Sequence, residues 1–171
     1  LWSQARSVIV LAMSYAPPIE QAALALTNRP NHAKISFYAQ GDDYHDTLKK
    51  ALKQMAHWLV ATSQCQVKLF VDTAPVMEKP LAMQAGLGWQ GKHSNIVSRS
   101  HGNWLLLGEI YSDLPLKPDA PAQDHCGKCQ ACQDICPTNA FIAPYRLDAS
   151  KCISYLTIEH KAMIPTEFRR A

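Results

Sequence analysis

Four cysteines stand in the order Cys126-x-x-Cys129-x-x-Cys132-x-x-x-Cys136-Pro137. This is the spacing by which ferredoxin-type chains hold 4Fe–4S clusters. A tight loop turns three thiolates toward one face of a cube, and three further residues carry the next thiolate away, toward a second cube. Pro137 stops regular helix from running past that point. Zinc is the alternative for such a cysteine-rich stretch, with His125 beside it, but zinc sites favour two separated Cys-x-x-Cys hooks or mixed Cys/His sets. A disulfide framework fits less well still. Thiolates kept free for metal imply a reducing compartment, so a cytoplasmic protein is expected.

Counting ligands carries this further. Two cubes need about eight thiolates at four each. Cys126, Cys129, Cys132, Cys136 and Cys152 supply five. Cys65 stands far back, near the end of a long helical pattern, and reads as a packed thiol. The shortfall predicts a further cysteine group beyond Ala171. The chain also opens on Leu1 rather than Met, so it reads as an internal piece of a longer protein. A single cluster with one open iron is the rival account.

Asp72 ends the apolar run Val67-Lys68-Leu69-Phe70-Val71 and precedes Thr73-Ala74-Pro75. A carboxyl entering a loop from a strand end is a place for a general acid, and partial burial would let it hold a proton near neutral pH. The plainer reading is a helix cap or turn residue, with Pro75 and Glu78 at suitable spacing. Tyr44 and His45 open the long helix as first-turn residues. Gly86-Leu87-Gly88-Trp89-Gln90-Gly91-Lys92 spells G-x-G-x-x-G and most of a P-loop. A helix precedes it, a strand pattern follows it, and His93 stands where a P-loop needs Ser or Thr. Both nucleotide readings are therefore rejected. Its glycines are expected to make turns or to let backbone come close to a bulky neighbour.

The elements that must position these residues follow from pattern. Residues 7–13 read as a buried strand ended by Pro17-Pro18, in preference to a signal peptide. Residues 16–34 read as loop with a short helix over 21–26. Leu48, Leu52, Met55 and Leu59 recur at helical spacing, predicting a helix over 43–62. A strand over 67–71 and a short helix over 76–85, stopped by Gly86, come next. Residues 95–98 and 104–110 read as two strands of a hairpin, turned at 99–103. Residues 113–124 carry three prolines and read as a linker, and 150–160 as a helix. No apolar run reaches the ~18 residues of a membrane span. The 17 basic and 14 acidic residues leave a formal charge of +3, which permits a nucleic-acid partner without announcing one.

Taken in order, Tyr38-Ala39-x-Gly41-x-Asp43-Tyr44-His45, Phe70 to Pro75, Ala85 to Lys92, Leu107-Gly108-Glu109-Ile110, the cysteine run and Cys152 to Thr157 resemble the epoxyqueuosine reductase family over nearly the whole chain. The resemblance implies an α+β fold. A nitroreductase-like cobalamin-binding domain (1–120) would precede a ferredoxin-like 4Fe–4S module (121–171), each truncated at its outer end. It implies cobalamin and two 4Fe–4S clusters as cofactors. The implied reaction reduces epoxyqueuosine to queuosine at the wobble position of a tRNA anticodon loop. A flavodoxin- or ferredoxin-type donor would feed a monomeric enzyme. Asp72 matches the proton donor. Ser36, Ile96, Leu107 and Ser154 match the cobalamin pocket, and Tyr44 and His45 lie near substrate or corrin. Cys126, Cys129, Cys132, Cys136 and Cys152 match cluster ligands, and the remaining ligands come from a downstream group.

Two positions depart from the family pattern. Asp42 and Lys79 stand where arginines are usual, and lysine does not replace arginine in bidentate contacts. No D-x-H-x-x-G motif supplies a cobalt-binding histidine. The rival readings are a corrinoid iron–sulfur reductase of the reductive dehalogenase kind, a ferredoxin-like electron carrier, and a zinc-bound interaction module. The roughly 120 residues ahead of Cys126 argue against a bare carrier.

Overall fold

The computed structural model of the chain describes residues 2–21, 31–32, 35–72 and 74–169. A three-stranded antiparallel sheet forms its centre, in the order β1–β5–β2. These strands are β1 (Ser7–Ser14), β2 (Val67–Phe70) and β5 (Leu105–Ser112). The middle strand, β5, is Leu-Leu-Leu-Gly-Glu-Ile-Tyr-Ser, and it pairs Ile110 with both Ile9 and Leu69. β1 is paired on one side only. It is therefore a half-buried edge strand rather than the fully buried strand expected.

Alternation along β5 divides the core in two. Leu106 and Ile110 face α1 (Tyr44–Ser63), whose Leu48, Leu52 and Ala56 close over them. Gly108 lies beneath that helix, and a Cβ there would come within 2.8 Å of Leu52 Cδ1. Leu105 and Leu107 face the other way, onto Ala82 of α2 (Glu78–Gln84) and onto Ile96. Asp43 caps α1 by accepting from the His45 amide at 2.9 Å, and Gln64 ends it in the left-handed conformation. α2 stops as the glycine predicts. Gly86 sits at φ +74°, its amide bonds Met83 O, and the Leu87 amide bonds Ala82 O, which together make a Schellman stop.

The expected hairpin of 95–98 with 104–110 is not formed. β4 (Ile96–Val97) instead pairs with β3 (Trp89–Gln90), inside the glycine-rich segment, while β5 joins the central sheet. The reason is Gly88. A Cβ on it would stand 2.3 Å from Val97 O, so only a bare backbone lets these two short strands meet. The 99–103 turn survives as a single bridge between Ser98 and Gly102.

Residues 113–124 contain no helix or strand. Beyond them come α3 (Ala131–Asp134), a small hairpin of β6 (Phe141–Ala143) with β7 (Arg146–Leu147), and α4 (Ile153–Ile158). The helix expected over 150–160 is thus shorter, preceded by a 3₁₀ turn at Ala149–Lys151. The helix expected over 21–26 lies outside the described residues beyond its first position. No described helix is long and apolar enough to cross a membrane.

Candidate functional site

Asp72 follows β2 directly and adopts φ +45°, a left-handed conformation that Asp tolerates better than most residues. Its amide donates to Glu78 Oε1 at 2.7 Å, so the first residue of α2 holds the bend. Asp72 is therefore not a helix cap. α2 starts after Met77, without a side-chain cap. The Asp72 side chain is also not half-buried as expected; 59% of it is exposed. The strand stops at Phe70, two residues before Asp72.

The first turn of α1 comes to meet that carboxyl. Tyr44 Oη donates to Asp72 Oδ2 at 2.8 Å, and His45 Nε2 stands 3.5 Å from the same oxygen. The Tyr44 and His45 rings stack at 3.9 Å between centroids, and Tyr38 meets Tyr44 edge-on. His45 Nδ1 contacts Asp43 Oδ1 at 2.7 Å. That hydrogen bond raises the His45 pKa above 6.5, with partial desolvation opposing it and Asp72 adding to it. Burial, and then the bond to Asp72, raise the Tyr44 pKa, so the phenol keeps its proton. Burial also raises the Glu78 carboxyl, against the pull of the Asp72 amide. Sequence reading named Tyr44, His45 and Asp72 separately, and the fold makes them one cluster. It missed Glu78, whose spacing from Asp72 suggested capping rather than support.

The cysteine loop is held from outside. Asp124 Oδ1 accepts from the Cys126 amide at 2.6 Å, and its other oxygen accepts from the Tyr145 hydroxyl. A turn bonds the Cys129 amide to Cys126 O at 2.9 Å. Trp89 Nε1 donates to Cys126 Sγ at 3.3 Å. Lys92 is only 7% exposed, and its Nζ donates to Gly127 O at 2.7 Å and Cys129 O at 2.8 Å. Cys136 Sγ receives the Ala140 amide at 3.4 Å, with Thr138 Oγ1 at 3.6 Å. Burial pushes the Cys136 thiol up, but these hydrogen bonds prevail and its pKa is lowered.

A lowered thiol and donors aimed at sulfur suit metal-bound thiolates. Among the described residues, no three Cys, His, Asp or Glu side chains converge as around a single ion. The five loop and helix cysteines are free, and Cys65 is buried, as a packed thiol should be. The N–H donors at the Cys126 and Cys136 sulfurs are what fits this loop to iron–sulfur ligation. Cys152 caps α4.

The four positions matched to a cobalamin pocket stand in different local settings. The Ile96 and Leu107 side chains are packed in the core with Ala82. Ser36 is exposed, and Ser154 lies in a surface hollow with Cys152 and Tyr155.

Residues 1–73 match the family model described as epoxyqueuosine reductase QueG, DUF1730. The epoxyqueuosine reductase of Vibrio cholerae is 47% identical over 165 residues, which cover 96% of this chain and 44% of the relative. Nearly the whole chain is similar to epoxyqueuosine reductases. Residues 125–171 match a 4Fe-4S double cluster binding domain, so the cysteine loop is an iron–sulfur module. The Pseudomonas aeruginosa epoxyqueuosine reductase is 50% identical, over 95% of this chain and 45% of its own.

Among solved structures, a selenomethionine-labelled epoxyqueuosine reductase superposes at a TM-score of 0.86 with 30% identity, covering 98% of this chain and 44% of the other. One bound to an epoxyqueuosine-modified tRNA-Tyr stem loop gives 0.82 at 30% identity, with the same coverage. A Bacillus subtilis structure, described with an aspartate-bearing catalytic loop swung out of its active site, gives 0.80 at 28% identity, again covering 98% and 44%. The chain spans a little under half the length of these epoxyqueuosine reductases.

Proposed function

We propose that this chain is the central part of an enzyme that reduces epoxyqueuosine to queuosine in the wobble position of tRNA, with cobalamin reduced through two 4Fe–4S clusters. The observation that carries the reading is the 47% identity to an epoxyqueuosine reductase across 96% of the chain. A relative crystallised with an epoxyqueuosine-modified stem loop supports tRNA as the substrate. The double-cluster module supports electron transfer through clusters, and the proposed donor is of the flavodoxin or ferredoxin type. Its catalytic part is residues 1–120 and its cluster part 121–171, acting as a cytoplasmic monomer.

Cobalamin would supply a strongly reducing nucleophile when bound. It is implied by the family resemblance. The chain's own residues handle the proton. Opening an epoxide breaks a C–O bond and leaves the electron pair on oxygen, as an alkoxide. A carboxylic acid placed against that oxygen delivers a proton as the bond breaks, a gain of about 10²–10⁴-fold. Asp72 is the acid. His45, its pKa raised by Asp43, is the cation that returns a proton to Asp72 Oδ2 across the 3.5 Å contact. Tyr44 fixes which carboxyl oxygen faces the histidine. Glu78, bonded to the Asp72 amide, fixes the backbone. The exposure of Asp72 fits an acid that closes onto a bound stem loop, which then excludes water.

Asp72→Asn in the protein that carries this chain tests the role. The expected result is retained iron and tRNA binding, with the single-turnover rate lowered by about 10²-fold or more. A single-turnover rate equal to wild type would remove Asp72 from the chemistry.

A further inference from the structure

The glycine-rich segment 86–92 has no nucleotide to bind, yet it is built to a tight tolerance, and its last residues reach the cysteine loop. Gly88 lets β3 lie against the Val97 main chain, and Gly91 is packed less tightly, since a Cβ there would stand 3.0 Å from Val97 Cγ2. β3 is therefore a rigid platform. From it Trp89 donates its indole N–H to Cys126 Sγ at 3.3 Å, and the same ring meets His125 edge-on at 5.1 Å.

Lys92 follows. It is one of the few buried charged residues, and its Nζ goes not to a carboxylate but to two main-chain carbonyls of the cysteine loop, Gly127 O and Cys129 O. Its own carbonyl accepts from the Tyr145 amide at 3.1 Å, and Tyr145 in turn grips Asp124, which holds the Cys126 amide. Arg99 Nη2 contacts the His125 ring at 3.1 Å on the outer side. Asp124, whose pKa Lys92 helps to lower, is near enough to feel this charge but makes no ion pair with it, and a buried cation so weakly paired is costly unless something supplies more negative charge. A cube ligated by thiolates would do so, a few residues away.

We propose that Trp89 and Lys92 set the reduction potential of the cluster held by Cys126, Cys129 and Cys132. Trp89 acts through an N–H···S bond to the Cys126 thiolate, and Lys92 through its buried positive charge clamped on the loop. This rests on the iron–sulfur reading of that loop. Reduction adds an electron to an already anionic cube. A hydrogen bond to sulfur and a nearby cation both stabilise the reduced form, and both raise the potential. The two residues come from the catalytic part of the chain rather than from the module that carries the cysteines. Docking of the two parts would thus tune the cluster as well as hold it. Both are positioning residues, since neither ligates iron.

The test uses the protein that carries this chain, purified anaerobically. Iron and acid-labile sulfide are measured first, and clusters are then titrated potentiometrically by EPR for wild type, Trp89→Phe and Lys92→Met. Trp89→Phe keeps the ring and removes the donor. Lys92→Met keeps the chain length and removes the charge. The expected result is a lower potential for one cluster in each variant, with the iron content unchanged. A potential equal to wild type in both variants, with iron present, overturns the proposal and leaves the iron–sulfur reading standing. Wild-type protein without iron overturns both.

A second measurement needs no variant. Protein labelled with ¹⁵N at the tryptophan indole should show a ¹⁵N hyperfine coupling to the reduced cluster in pulsed EPR, and Trp104→Phe should leave that coupling in place. If Trp89→Phe fails to assemble a cluster, this coupling alone decides, and its absence from wild type overturns the Trp89 bond.

Discussion

Asp72 is held by three neighbours that act differently. Glu78 takes its amide, Tyr44 donates to its carboxyl, and His45 stands beside the same oxygen. Of these, His45 alone has a pKa raised from a starting value near neutrality, and Asp43 is the main cause. If His45 returns the proton, turnover falls as pH rises through the His45 pKa, at some value above 6.5. Asp43→Asn removes the charge but keeps a good helix cap. It should move that fall toward lower pH, and a pH–rate profile under single-turnover conditions reads it directly. An unchanged profile would assign the proton to another group.

A second residue acts on stability. Glu109 is fully buried in the middle of β5, and neither of its carboxyl oxygens has a hydrogen-bond partner among the described residues. Burial, with repulsion from Glu78, pushes its pKa up to about 8. The unfolded chain releases this proton near the ordinary value of 4.5, and the folded chain releases it only near 8. Stability from this group is therefore full below 4.5 and is lost as pH rises through 8. Glu109→Gln should flatten that decline, which denaturant midpoints measured at pH 5, 7 and 9 would show.

Two glycines separate rigid contacts from yielding ones at the scale of elements. At Gly88 an added methyl meets the Val97 main chain, whereas at Gly108 it meets the ends of Leu52 and Leu48. Main chain paired in a sheet has nowhere to go, but leucine ends can repack. Gly88→Ala should cost about 3 kcal/mol or more and Gly108→Ala about 1 kcal/mol, by the usual range for overpacking. Leu52→Ala, which opens the core under α1, should cost about 2–5 kcal/mol. Urea midpoints would rank the three.

The same contrast explains what could be read in the sequence. α1 was legible because Leu48, Leu52 and Leu59 recur at helical spacing over a long stretch, and the stop of α2 because Gly86 takes a φ that other residues avoid. The pairing of β3 with β4 was not legible. Two-residue strands carry no periodicity, and their partner is chosen by the contact at Gly88 rather than by pattern. The iron–sulfur character of the cysteine loop was legible by spacing. Trp89 and Lys92 were not, because their partners lie 37 and 35 residues away and the local letters imitate a phosphate loop. Asp72 stood out as a strand-end acid. Its exposure depends on where the sheet stops, which no local signal gives.

For the molecule as a whole, the central sheet carries the acid cluster at the exit of β2, and the glycine-rich platform beyond α2 carries the grip on the cysteine loop. The account requires these to be two ends of one path, with electrons entering at the cysteines and a proton delivered at Asp72. The most direct test is to reduce the clusters of the protein that carries this chain under anaerobic conditions and mix it, without external reductant, with an epoxyqueuosine-containing stem loop. The reduced-cluster EPR signal is expected to decay in step with the appearance of queuosine. Queuosine formed while the clusters stay reduced, or protein that holds zinc and no iron yet turns over, would contradict it.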